Sequence, residues 1–295
     1  MRLRTLPLSL AGVMMGIFLA LTAYEVDGWT VLLLFLTTVS LQILSNLSNE
    51  LGDVLRGTDT AEREGPQYGL NGGGMTIPQM KRLIGCFVVL CAAAGTAMTW
   101  RAFGTLWDIT PLLVLLLGAC AIMAAMKYTL GRNPYGYRGL GDFYVFLFFG
   151  LVSVLGAVFV CTEGTGLSWK LILPASAVGC FSVGVLNVNN IRDMQTDAAN
   201  RTTVAIRLGL HKARIYQTVL IALGWACMLA FCLLNWPDWR HYLFVLTLPL
   251  YIAHLKGVWT REGRALDPML PLLVMSTFLL CLLTGAGFCS FLIFS

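Results

Sequence analysis

A chain of 295 residues that is 57% hydrophobic, only 12% charged and +0.76 in mean hydropathy is not an ordinary soluble domain, in which about a quarter of residues carry charge. Its net charge of +5 is distributed among the loops between apolar runs, so no nucleic-acid partner is expected. The nine cysteines form no CxxC, and none has a histidine at zinc-ligand spacing, which leaves them as small buried hydrophobes.

Nine apolar runs approach the roughly 20 residues that a membrane-spanning helix needs: 7–24, 29–51, 80–100, 109–130, 142–162, 168–190, 213–235, 241–259 and 269–294. The expected fold is an all-α polytopic membrane protein, one transmembrane domain over 1–295. The first run follows Met1-Arg-Leu-Arg4, but it is longer than a signal-peptide core and no clear small-x-small cleavage site follows, so a retained helix is expected. With the N-terminus in the cytoplasm, 17 of the 20 Lys and Arg residues fall on the inner side. Only Arg101, Lys170 and Arg240 fall outside. The positive-inside rule favours that orientation. The long polar connections, 52–78, 130–142 and 191–212, then all face the cytoplasm and mark the working face.

Two acidic segments close the second and sixth runs. The first is Asn49-Glu50-Leu51-Gly52-Asp53, followed by Asp59; the second is Asn189-Asn190-Ile191-Arg192-Asp193, followed by Asp197. In each, an Asn lies four residues before an Asp, so a helix places the pair on one face. Carboxylates at a membrane edge are costly to desolvate and mark functional sites by default. A solvated or arginine-paired helix end explains any one of them; it does not explain the matched set. Asn49, Asp53, Asp59, Asn189, Asp193 and Asp197 supply the hard oxygen ligands that Mg²⁺ takes while it bridges to substrate phosphates. The four-helix interval hints at a duplication that sets the two acidic ends across a central cavity. Ionisation of a diphosphate ester is the chemistry such a charge layout suits best, because charge develops on the departing oxygen.

Arg56, Arg63, Lys81, Arg82 and Arg192 are candidates to complete a diphosphate clamp, although inner loops are basic in any case. Gly72-Gly-Gly74 reads as a hinge in a lid rather than a phosphate loop, since no Gly-Lys-Ser/Thr follows. Tyr135 and Tyr137 put two rings in a Gly-rich loop. They suit shielding of a carbocation or stacking on a flat ring, and equally suit ordinary placement at a membrane interface. Asp142 has the position of a helix N-cap. His211, His241 and His254 do not read as a set.

Three stretches together carry a family resemblance: Asn46-Leu-Ser-Asn-Glu-Leu-Gly-Asp53 through Asp59; Pro134-Tyr-Gly-Tyr-Arg-Gly-Leu-Gly-Asp142; and Asn187-Val-Asn-Asn-Ile-Arg-Asp193 through Asp197 to Gly209. The chain resembles the UbiA superfamily of intramembrane aromatic prenyltransferases, and within it the 1,4-dihydroxy-2-naphthoate polyprenyltransferases of menaquinone synthesis. Glu50 departs from the pattern, standing where the family's first motif usually has Asp. The resemblance implies nine transmembrane helices around a central cavity capped by cytoplasmic loops and open laterally to lipid. It implies Mg²⁺-diphosphate held by Asn49, Asp53 and Asp59 from one side and by Asn189, Asp193 and Asp197 from the other. It further implies a polyprenyl diphosphate donor and a 1,4-dihydroxy-2-naphthoate acceptor that loses CO₂, giving demethylmenaquinol at the plasma (inner) membrane. The residue that meets the acceptor's carboxylate is unassigned; Lys127, Arg132 and Arg138 are candidates. The same chemistry on 4-hydroxybenzoate is the nearest alternative. A secondary transporter is disfavoured, because such proteins place their sites near the midplane, whereas these carboxylates gather at one face.

Overall fold

The computed structural model describes residues 5–57, 70, 74–198, 201–235 and 238–294, with side chains as far as 289. Asp59, Arg63, Gly72 and Gly73 lie outside the described residues. Each of the nine apolar runs forms a helix: α1 (Leu6–Leu21), α2 (Gly28–Leu55), α3 (Ile77–Phe103), α4 (Ile109–Lys127), α5 (Gly141–Cys161), α6 (Trp169–Arg192), α7 (Val204–Leu234), α8 (Trp239–Thr260) and α9 (Met269–Phe294). Among the described residues eight helices are long and apolar enough to cross a membrane. The ninth, α1, has 16 residues. At 1.5 Å per residue it rises about 24 Å, less than the ~30 Å of hydrocarbon, so the expected first span 7–24 ends early.

Local chemistry sets the ends. Asp27 caps α2 by accepting from the Thr30 N–H at 2.8 Å. Thr76 and Gln79 form a reciprocal capping box at the start of α3, satisfying two amides that the first helical turn cannot. Gly104, at φ +69°, stops α3 in the left-handed conformation that suits glycine. The expected N-cap at Asp142 is not found. Leu140 occupies the N-cap position of α5 without a side-chain cap, and Asp142 instead accepts from the Tyr216 hydroxyl at 3.0 Å.

Helix α6 is the central post. It packs on α5, α7 and α9, while α1 packs against α5 and α9, and α2 against α3 and α4. Phe181 of α6 anchors an aromatic core with Tyr251, Trp225 and Phe244 at centroid distances of 4.8–5.5 Å. In lipid, helices associate by van der Waals packing at small residues rather than by a hydrophobic drive. Gly150 of α5 meets Gly179 of α6 so closely that an added Cβ would lie 2.6 Å from the Gly179 Cα. Gly150→Leu is therefore expected to destabilise the bundle by about 1–3 kcal/mol, read as a lower midpoint of thermal unfolding in detergent; an unchanged midpoint would argue against this contact.

Five of the exposed tryptophans mark one rim, while Trp259 lies near the other end of α8. Trp29 begins α2, Trp100 nears the end of α3, Trp107 precedes α4, Trp169 begins α6 and Trp239 begins α8. All five lie at the end opposite the acidic motifs, as an interfacial aromatic belt requires. The nine cysteines are free; Cys86 and Cys120 lie on the outer surface and the others are buried or half-buried.

Candidate active site

The bundle encloses a cavity of ≈ 700 Å³, within the size range of small-molecule sites. Its walls are mostly apolar, with Leu117 and Gly118 of α4, Phe148 and Phe159 of α5, and Val274 of α9 among them. One end is polar, where the last turns of α2 and α6 present Asn49, Asp53, Asn189 and Asn190. The two acidic segments thus reach one chamber from two helices.

The first motif is held by the loop that carries the two expected tyrosines. Asp53 is 2% exposed, and its Oδ1 accepts from the Tyr137 hydroxyl at 2.7 Å. Thr129 donates to Asn49 Oδ1 at 3.2 Å and to the Ser48 carbonyl at 2.9 Å. Gly52 leaves the room Thr129 needs, since a Cβ there would lie 2.6 Å from the threonine side chain. Glu50, the residue that departs from the family pattern, points away from this ligand set and accepts from the Leu70 N–H at 2.8 Å.

The second motif runs on past the end of α6. Asp193 N–H donates to Asn189 O at 3.1 Å, Asp197 N–H to Asp193 O at 2.9 Å, and Arg201 N–H to Asp197 O at 3.0 Å. The expected i, i+4 stripe is therefore built, although Asp193 itself closes α6 and a separate helical turn, Met194–Asp197, follows. Its two carboxylates are buried and paired. Arg192 grips Asp193 with Nε and Nη2, both at 2.7 Å, and its Nη2 also donates to Asn189 Oδ1 at 2.9 Å. Arg201 pairs with Asp197 at 2.5 Å. Arg192 and Arg201 line the cavity, so these arginines stand between the second pair of carboxylates and the chamber.

Tyr137 joins the halves. Its hydroxyl holds Asp53, its ring lies under Arg56 at 5.0 Å and Arg201 at 5.8 Å, and its carbonyl accepts from the Thr202 N–H at 3.1 Å. Tyr137→Phe is expected to slow turnover about 10–100-fold, matching the ~1.5–3 kcal/mol of a hydrogen bond to a charged group. Wild-type turnover of a folded variant would remove that bridging role. Tyr135 lines the chamber, donates to Ala124 O at 2.6 Å and stacks on Tyr144 at 3.9 Å. Burial, then the neighbouring Tyr128 and Tyr144, push its phenol above the usual range, so it stays a protonated donor into alkaline solution.

The other expected cations are placed differently. Arg56 is exposed and donates to Gly131 O at 2.7 Å, and Lys81 is exposed near the start of α3. Neither lines the cavity. Sequence reasoning missed three contributors. Arg201 had a local signal, since it lies four residues beyond Asp197. Asp267, which accepts from Arg192 Nη1 at 2.7 Å, had none. Gln42 lines the chamber with Ser9 and Thr5: it accepts from Ser9 Oγ at 2.5 Å and donates to Thr5 Oγ1 at 2.9 Å. No cluster of three or more His, Cys, Asp or Glu forms a metal site by itself among the described residues.

Fold and site define an intramembrane helical bundle built around a substrate-sized chamber with a charged mouth. The UbiA prenyltransferase family profile matches residues 9–280, and the chain belongs to that family. It is 38% identical over 289 residues to the 1,4-dihydroxy-2-naphthoate octaprenyltransferase of Escherichia coli (strain K12), covering 97% of this chain and 92% of that protein. It is 37% identical over 290 residues to the protein of the same name from Haemophilus influenzae, covering 97% and 93%. A UbiA homolog from Aeropyrum pernix K1, solved in its apo form, superposes with a TM-score of 0.72 at 16% identity over 99% of both chains; at that identity the likeness concerns the fold.

Proposed function

We propose that the chain transfers a polyprenyl group from an allylic polyprenyl diphosphate to 1,4-dihydroxy-2-naphthoate, with loss of CO₂ and diphosphate, forming demethylmenaquinol. The observation that carries this reading is the single chamber, apolar along its walls and charged at one end, which suits a substrate with a long hydrocarbon tail and an anionic head. The names of the full-length relatives support the naphthoate acceptor.

Mg²⁺ fits the donor set: Asn49, Asp53, Asn189, Asp193 and Asp197 offer only oxygen among their acceptor atoms, the ligand type this hard cation takes. Asp59 joins them by sequence position. When bound, the metal neutralises a diphosphate and stabilises it as a leaving group. The chain's own residues do the rest. Arg192 and Arg201 place fixed positive charge on the chamber wall, where it suits binding of the anionic head. The apolar wall keeps water from the allylic carbon while the carbon–oxygen bond breaks and the ring carbon takes its place. The basic loops support a reading in which this mouth faces the cytoplasm and the protein sits in the plasma membrane.

A transfer assay in membranes tests the reading, with a long-chain allylic diphosphate, Mg²⁺, and 1,4-dihydroxy-2-naphthoate or 4-hydroxybenzoate offered side by side. Prenylated product with CO₂ from the naphthoate alone is expected. Product from the benzoate alone would overturn the acceptor, and no product from either would overturn the reaction.

A further inference from the structure

A chain of buried polar groups crosses the bundle near the acidic helix ends, and its three side chains lie outside the cavity lining. Asn187 of α6, Gln217 of α7 and His254 of α8 are each at most 1% exposed. Asn187 Nδ2 lies 3.0 Å from Ala213 O and 2.9 Å from Gln217 Oε1; Gln217 Nε2 lies 3.0 Å from His254 Nε2; His254 Nδ1 lies 3.0 Å from Met269 O. Proton placement follows from one end. A carbonyl can only accept, so His254 Nδ1 carries the proton. Neutral imidazole then accepts at Nε2, Gln217 donates its amide there, and Gln217 Oε1 accepts from Asn187. Every link has one consistent direction.

Fully buried polar side chains are expensive unless they are paired, and the path of the chain shows what it reaches. Gly257 has no side chain to obstruct Met269, which lets the start of α9 lie against α8 beside His254. Two residues before Met269, the Asp267 carboxylate holds Arg192 Nη1 at 2.7 Å. Arg192 in turn holds Asn189 and Asp193. The links therefore form a circuit that leaves the end of α6 at Asn187, crosses α7 and α8, and returns to the same helix end through Asp267 and Arg192.

We propose that Gln217 and His254 are positioning residues: they pin the α8–α9 turn so that Asp267 holds Arg192 at the chamber wall, poised for the diphosphate. This rests on the prenyl-transfer reading above. The circuit is built before substrate arrives, so its contribution lies in binding the anionic head rather than in the bond-breaking step.

The test uses the full chain in nanodiscs and measures calorimetric uptake of inorganic diphosphate with Mg²⁺, beside KM and kcat for transfer. His254→Leu and Gln217→Met should each weaken diphosphate uptake and raise the donor KM about tenfold, the lower range for loss of an outer-shell partner, with kcat changed far less. His254→Asn, which keeps a donor near the Nδ1 position, should recover part of the loss. Asp267→Asn should show the same defect, and adding His254→Leu to it should cost nothing more, because both cut one circuit. Defects that multiply, or variants that bind diphosphate as wild type does, would overturn the proposal. Hydrogen exchange on the unmutated protein covers the case in which the buried variants do not fold. Amides of residues 263–270 should be protected before diphosphate is added, and a turn that becomes protected only afterwards would overturn it. Wild-type protein that takes up no diphosphate would defeat the prenyl-transfer reading and this proposal together; intact wild-type uptake with unaffected variants defeats this proposal alone.

Discussion

Asp53→Asn is expected to abolish prenyl transfer while leaving the bundle folded, with turnover falling by at least the ~10²–10³ that a single preorganised electrostatic contact supplies. The substitution keeps the shape and an oxygen acceptor for the Tyr137 hydroxyl. It removes the charge that would hold a cation. Asp193→Asn should be as damaging to activity but should differ in stability. Asp193 is fully buried and bound through both oxygens to Arg192. Its neutralisation leaves a guanidinium, 8% exposed, with Asp267 as its remaining carboxylate. Leaving a buried charge part-compensated costs on the order of 1–3 kcal/mol. Activity of each variant in membranes, read beside its thermal midpoint in detergent, checks both halves of this expectation. Near-normal turnover in the two variants would remove the paired-motif reading.

Chelation should have the second large effect. EDTA is expected to stop transfer and added Mg²⁺ to restore it, because an allylic diphosphate leaves as a highly charged anion and the chamber offers few groups to neutralise it. Among the described residues the cations that line the cavity are Arg192 and Arg201, and each already pairs with an aspartate. They cannot offset a diphosphate alone. A divalent ion that takes up Asp193 and Asp197 would release both arginines toward the substrate. Ca²⁺ should substitute poorly, since it prefers six to eight ligands at longer distances. Transfer that survives thorough chelation would mean that these arginines and the loop cations trap the diphosphate without metal.

The helices and the two acidic ends were legible because they rest on one-dimensional contrasts. Long apolar runs are readable from length, and a carboxylate beside one stands out because it is costly there. The Asn–Asp interval of four was enough to place Asn49 with Asp53 and Asn189 with Asp193. What stayed hidden depends on contacts between distant segments. Tyr137 read equally well as an interfacial aromatic and as a cavity group, and its place behind the chamber lining, holding Asp53, matches neither. Lys81 and Arg56 sit near the motifs in sequence yet face away from the chamber. Asp267 and His254 gave no signal, because a lone Asp in a loop and a lone His in a span take their meaning from Arg192 and Gln217. The early end of α1 was missed because its apolar composition continues past the point where its backbone stops being helical.

Helix α5 carries a further constraint. Residues Phe146–Val152 form a π-helix inside it, which amounts to one extra residue wound into an α-helical path. Tyr144 lies before the segment and Phe159 after it, and both face the chamber. Losing one residue anywhere in the segment would let the backbone relax to ordinary pitch and turn one half against the other by about 100°. Tyr144 would then leave its stack with Tyr135, or Phe159 would leave the wall. The chamber's shape is thus written partly as a phase: a substitution along α5, even a damaging one at Gly150, acts where it sits, whereas a single-codon deletion there would shift half of one wall at once.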